Sequence, residues 1–146
     1  MIRRHPRLSV VLAIYLGFVA TVTLGPGHPS ESDGWLLRVI QLLSRFDGTQ
    51  WITYQRVEFT ANVFLFFPIG MLALLLLGWR HATASVAFGV ALTCAIEFAQ
   101  KFIPGRVSDI SDVISNSIGT ALGASVATAY LLRQHYRGRG RRQMES

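Results

Sequence analysis

Long apolar blocks alternate with short polar breaks along this chain. The first block, Leu8 to Leu24, follows Arg3, Arg4, His5, Pro6 and Arg7. A basic start before an apolar run also describes a signal peptide. This run of 17 residues is longer than the usual core of about 7–15, and no A-x-A site follows it. It predicts an uncleaved first membrane span. A second block covers about 59–79 and contains Pro68, which removes a backbone hydrogen bond and is expected to kink the helix. Arg80-His81 leads directly into a third block, 82–102, which ends at Pro104-Gly105. The fourth runs over about 110–132. Each approaches the ~20 residues that cross a bilayer.

The one sizeable connection spans 25–57 and begins with the breaker Gly25-Pro26-Gly27-His28-Pro29. Within it, 35–46 reads as an amphipathic helix. Trp35, Val39, Leu42, Leu43 and Phe46 share one face, with Arg38, Gln41 and Arg45 opposite. This segment is too short to span, so it predicts a helix in the membrane interface or packed on the outside of the bundle. The basic, glycine-containing residues 133–146 predict a disordered cytoplasmic tail. The expected fold is one membrane domain over 1–132: an all-α integral membrane protein with four transmembrane helices and one interfacial amphipathic helix.

Composition agrees and adds an orientation. Of the 146 residues 51% are hydrophobic and 15% charged, against about 25% charged in soluble domains. The net charge is +6, carried by thirteen arginines and one lysine. These residues flank apolar blocks and do not cluster with stacking aromatics, so nucleic acid is not an expected partner. Cys94 is the only cysteine, which excludes an intrachain disulfide and a cysteine-rich metal site. With both termini cytoplasmic, Arg3, Arg4, Arg7, Arg80, Arg133, Arg137, Arg139, Arg141 and Arg142 lie inside. Arg38, Arg45, Arg56, Lys101 and Arg106 then lie outside, together with seven of the eight acidic residues. That bias is the one the positive-inside rule requires.

Polar residues within apolar spans are costly and by default mark function. Glu58 and Asn62 open the second span on one helical face, Glu97 and Gln100 lie near the end of the third, and Asp109, Asp112 and Asn116 open the fourth. The topology brings all three groups to the outer side. Glu97 lies roughly 8 Å, and Asn116 roughly 10 Å, along its helix from the end. The expected site is an acidic outer-leaflet pocket with Glu97, Asn62 and Asn116 at its floor and Glu58, Asp109 and Asp112 at its rim. Arg56, Lys101 and Arg106 stand nearby.

Structural roles compete with this reading. Asp109 and Asp112 are placed to cap a helix and offset its dipole. Asn116 is of a type that bridges helices, and Glu97 can form an ion pair with Arg106 or Arg56. Ser85, Gly89, Thr93 and Glu97 form an inward stripe at four-residue spacing, and Ser115, Gly119, Gly123 and Ala127 form a small-residue packing ridge. The four histidines make no ligand pair, and no nucleophile stands beside a base.

Three ordered motifs carry a resemblance: Asn62-Val63-Phe64-Leu65-Phe66-Phe67-Pro68-Ile69-Gly70, then Ile96-Glu97-Phe98-Ala99-Gln100, then Gly105-Arg106-Val107-Ser108-Asp109-Ile110-Ser111-Asp112-Val113-Ile114-Ser115-Asn116-Ser117-Ile118-Gly119. Together, over about 58–123, they resemble the VanZ-like family of small bacterial membrane proteins. Ser111 stands where the family pattern usually has a further acid, and Ser108 where it has a hydrophobic residue. The pocket is thus one charge less acidic, which weakens a metal role. The resemblance implies a bacterial cytoplasmic-membrane protein linked to the cell envelope. The family is named for an accessory protein of teicoplanin resistance, and its resemblance supplies no reaction.

Three functions stay open. One is a non-catalytic envelope protein that binds a lipid-linked cell-wall precursor or a glycopeptide at the outer leaflet. A second is a transferase or hydrolase on a lipid-linked substrate. It would use Mg²⁺ held by Glu97, Asp109 and Asp112, or Glu97 itself as acid or base. The third is a transporter or flippase, which with four spans requires a homo-oligomer. It ranks last, because the polar residues gather at one side and leave the other half of the bundle apolar.

Overall fold

The computed structural model describes residues 6–25, 53–105 and 109–144, with side chains to 137. The predicted interfacial helix 35–46 and Arg106 lie outside the described residues. The described residues form four α-helices: α1 (Pro6–Leu24), α2 (Tyr54–Leu77), α3 (Ala82–Gln100) and α4 (Ile110–Met144). No strand occurs among the described residues.

Local chemistry sets the helix ends. Pro6 opens α1, where its missing N–H interrupts no helical hydrogen bond. The start of α2 lies five residues before the predicted Phe59, because Thr53 caps it: Thr53 is extended and its hydroxyl accepts the Arg56 N–H at 3.3 Å. At the other end Gly78 adopts φ +89°, which suits glycine, and returns its N–H to the Leu74 carbonyl at 2.7 Å. A single 3-10 turn, Trp79–His81, then leads into α3. Pro68 lies inside α2, which nevertheless runs unbroken to Leu77. One turn before it, the Tyr15 hydroxyl of α1 donates to the Leu65 carbonyl at 2.8 Å.

The structure departs from the predicted tail. α4 does not stop at Leu132 but continues to Met144. Arginine, glutamine and methionine favour helix, and extending an existing helix avoids the nucleation cost. Gly138 and Gly140 disfavour it by only about 1 kcal/mol each. The basic run thus prolongs α4 through most of 133–146.

Among the described residues, three segments are long and apolar enough to cross a membrane: Pro6–Leu24, Tyr54–Leu77 and Trp79–Gln100, with mean hydropathies of 1.9, 2.2 and 1.6. The fourth predicted span is not among them. α4 is diluted by Ser115, Asn116 and Thr120, which it buries in the bundle. Its opposite side exposes Ile110, Ile114, Ile118, Leu122, Val126 and Tyr130, every fourth residue.

The closest helix packing joins α2 to α4. A Cβ on Gly119 would overlap the Val63 carbonyl oxygen, and one on Gly123 would overlap that of Phe67. The small-residue ridge read from the sequence is therefore where two backbones touch. Val19, Phe66, Ile69 and Ile96 form one core cluster between α1, α2 and α3, and Leu74, Ala124 and Ala127 form another between α2 and α4. The short α2–α3 turn makes those helices antiparallel. A hydrogen bond from the Gln100 amide to the Thr23 carbonyl (3.0 Å) brings the C-terminal ends of α1 and α3 together. The starts of α2 and α4 lie at that same end.

Candidate functional site

Charged and polar residues of the three motifs gather at this end of the bundle. On α3 the predicted inward stripe is buried: Ser85 and Thr93 are fully enclosed, and Glu97 is only 6% exposed. Burial of such groups is tolerable only with hydrogen-bond partners. Ser85 donates to the Gly70 carbonyl at 2.9 Å. Glu97 Oε2 accepts the backbone N–H of Asp109 at 3.0 Å, so the last turn of α3 holds the residue that opens α4. A carboxylate there also sits at the positive end of the α4 dipole.

Asp109 and Asp112 divide their work. The exposed Asp109 caps α4, its Oδ1 accepting the Ser111 N–H at 2.9 Å. The half-buried Asp112 turns sideways, and its Oδ1 accepts the Asn62 Nδ2 amide of α2 at 2.7 Å. One turn deeper, Asn116 Nδ2 donates to Thr93 Oγ1 at 2.8 Å, and Thr120 Oγ1 donates to the Asn116 carbonyl at 2.9 Å. Helices α2, α3 and α4 are thus joined by side-chain bonds in two successive layers. Gln100 adds α1 through the Thr23 carbonyl, one of those the end of a helix leaves without an intrahelical partner.

Two buried acceptors in this network have no hydrogen-bond partner among the described residues. Asn116 Oδ1 and Gln100 Oε1 are buried without a hydrogen bond, on residues 3% and 5% exposed. Each such atom costs about 1–3 kcal/mol. Both are acceptors, and so are the neighbouring carboxylates. The end of the bundle therefore concentrates hydrogen-bond acceptor oxygens.

The predicted floor residues Glu97 and Asn116 are buried, and Asn62 is half-buried beside them. At the predicted rim, Glu58 is exposed one turn before Asn62. Among the described residues, no three His, Cys, Asp or Glu side chains are grouped to hold a metal ion. Glu97, Asp109 and Asp112 bond separately to the Asp109 N–H, the Ser111 N–H and the Asn62 amide, so the trio considered for Mg²⁺ is not assembled as a ligand set. Two apolar grooves formed by described residues lie away from these side chains. One, of about 650 Å³, lies between α3 and α4 along 82–91 and 121–128. The other, of about 190 Å³, lies between α1 and α3 and is lined by Leu16, Val19 and Ile96 among others.

Sequence reasoning put Thr93 on the inward stripe but did not pair it with Asn116. Its position one turn before Glu97 was the available signal. The Thr23 carbonyl carried no signal at all, since a backbone acceptor has no residue type.

The sequence pattern of the family described as VanZ/LLP1 matches residues 12–133. The chain belongs to the VanZ/LLP1 family. No curated protein and no solved structure matches it significantly. The VanZ/LLP1 match takes in most of α1, all of α2 and α3, and α4 as far as Arg133. It is wider than the 58–123 stretch that carries the motifs and includes every residue of the polar network.

Proposed function

We propose that this VanZ/LLP1 protein crosses the bacterial cytoplasmic membrane four times, with both termini in the cytoplasm. Its polar end then faces the outer leaflet and binds a lipid-linked or glycopeptide-type envelope molecule, contributing to glycopeptide (teicoplanin) resistance without catalysing a reaction. Support for α4 as the fourth span comes from its exposed apolar stripe, Ile110 to Tyr130, which suits a lipid-facing surface. Support for the orientation comes from Arg80, Arg133 and Arg137, which gather at the opposite end of the bundle.

The observation that carries the binding role is the buried Asn116 Oδ1, which has no donor among the described residues and lies beside the Glu97 and Asp112 network. Carboxylates and amide oxygens at a membrane-embedded helix end recognise ammonium, amide and hydroxyl groups. Glycopeptides and the peptide stems of wall precursors carry all three. The test is teicoplanin susceptibility of a host expressing the wild-type chain, Glu97→Gln or Asp112→Asn, at matched membrane levels. Both variants are expected to lose the protection that the wild type confers. Unchanged protection in both overturns the reading.

A further inference from the structure

The wider groove lies away from the polar end and has its own chemistry. It is an open trough between α3 and α4, floored by small residues such as Thr83, Ala87, Ala91, Ala121, Ser125 and Thr128. Its volume of about 650 Å³ falls within the range of small-molecule sites, roughly 300–1,000 Å³. Small side chains on both walls leave a channel parallel to the helices, a shape that suits a flexible hydrocarbon chain.

The end of the groove beyond Ala82 and Thr128 is cationic. Arg80 and His81 immediately precede Ala82, and both are exposed. The Arg80 guanidinium lies 5.5 Å above the Trp79 ring, and Trp79 in turn stands 6.3 Å from the His135 ring on α4. This stack links the residues just before α3 to α4 beyond the end of the groove. His135 is seven residues, or two turns, beyond Thr128 and so on the same face of α4. Arg133 and Arg137 are exposed at the same level of the bundle. Among the described residues, all four carboxylates, Glu58, Glu97, Asp109 and Asp112, belong to the other end. Among the described residues no carboxylate opposes the positive charge at the mouth of the groove, which aromatic rings flank.

From this juxtaposition we infer that the α3–α4 groove is a binding site for an anionic phospholipid. One acyl chain lies along the small residues, and the phosphate is held by Arg80 with His81 and His135. Arginine presents N–H donors in a fork that fits phosphate oxygens, and stacking on Trp79 holds that fork in place. Basic pockets between membrane helices bind acidic lipid headgroups by this chemistry. The charge complementarity selects a lipid over a second copy of the chain, because two such mouths brought together would repel. The site is independent of the polar end and of the function proposed for it.

The test is native mass spectrometry of the full-length chain released from detergent containing equal amounts of phosphatidylglycerol and phosphatidylcholine. The wild type is expected to retain phosphatidylglycerol in preference, by about fivefold or more for an arginine at the headgroup. Arg80→Gln with His135→Gln removes the preference but still retains lipid. Ala87→Leu with Ser125→Leu, both at exposed positions, fills the groove and reduces retention of both lipids. Equal retention of the two lipids by the wild type overturns the inference. So does a preference untouched by either pair of substitutions, or a chain dimer that disappears when the groove is filled.

Discussion

Glu97, buried in the last turn of α3, accepts the backbone N–H of Asp109, the residue that caps α4. One carboxylate thereby fixes how two helices meet at the polar end. Glu97→Ala leaves the Asp109 N–H without that acceptor, and a loss of about 1–3 kcal/mol follows. Glu97→Gln keeps a carbonyl oxygen at the same reach and is expected to lose less. Thermal unfolding in detergent, followed by helical circular dichroism, checks the order: wild type, then Gln, then Ala. Equal melting temperatures for all three contradict it.

The Asn62–Asp112 bond is the second tie, between α2 and α4. Single replacements by alanine remove it from either side, and the double replacement should cost less than their sum. Side-chain bonds between membrane helices couple by about 0.6 kcal/mol on average and up to about 1.7. This one is short and ends on a carboxylate, so a coupling of about 1 kcal/mol is expected from the double-mutant cycle. Strict additivity would mean that the bond contributes nothing to the folded state.

The backbone contact between α2 and α4 makes a sharper prediction. Gly119→Ala and Gly123→Ala each drive a methyl group into a carbonyl oxygen, of Val63 and Phe67 respectively. Helix separation of this kind is expected to cost about 1–3 kcal/mol or more. Gly17→Ala, on α1, meets nothing within 4 Å and should leave stability unchanged or slightly improved. Melting temperatures of the three variants, compared in one detergent, test the contrast.

Asn116 separates structure from binding. Asn116→Ala loses the bond to Thr93 but also removes a buried acceptor that has no donor. These effects offset, and the net change in stability is expected to stay within about 1 kcal/mol. Teicoplanin protection should nevertheless fall, because the vacant acceptor is gone. A stable variant with full protection would place Asn116 in the scaffold alone.

Much of this arrangement was legible in the sequence. The stripe Ser85, Gly89, Thr93 and Glu97 faces inward because four-residue spacing puts those side chains on one side of α3. The convergence of Asn62, Glu97 and Asp112 followed from counting helices. Other features had no sequence signal. The Gln100 amide pairs with a carbonyl, and any residue at position 23 would present one. The helical continuation of α4 was hidden by its charge, since arginines and glycines suggest a solvated tail while the helix already formed upstream carries through them. The acidic residues read as the lining of an open pocket. In the structure Glu97 and Asp112 each spend an oxygen on a bond that ties helices together, and among the described residues the buried Asn116 Oδ1 and Gln100 Oε1 have no partner.

The central claim is that the Glu97 end of the bundle faces the outside of the cell. It is tested most directly by labelling intact cells with a membrane-impermeant maleimide, in a Cys94→Ser background that carries either Asp109→Cys or Arg80→Cys. Both positions are exposed, and they lie at opposite ends of the bundle. The cysteine at 109 is expected to be labelled from outside and the one at 80 only after the cells are opened. The reverse pattern would put the polar end in the cytoplasm and contradict the proposed orientation and the outer-leaflet binding role together.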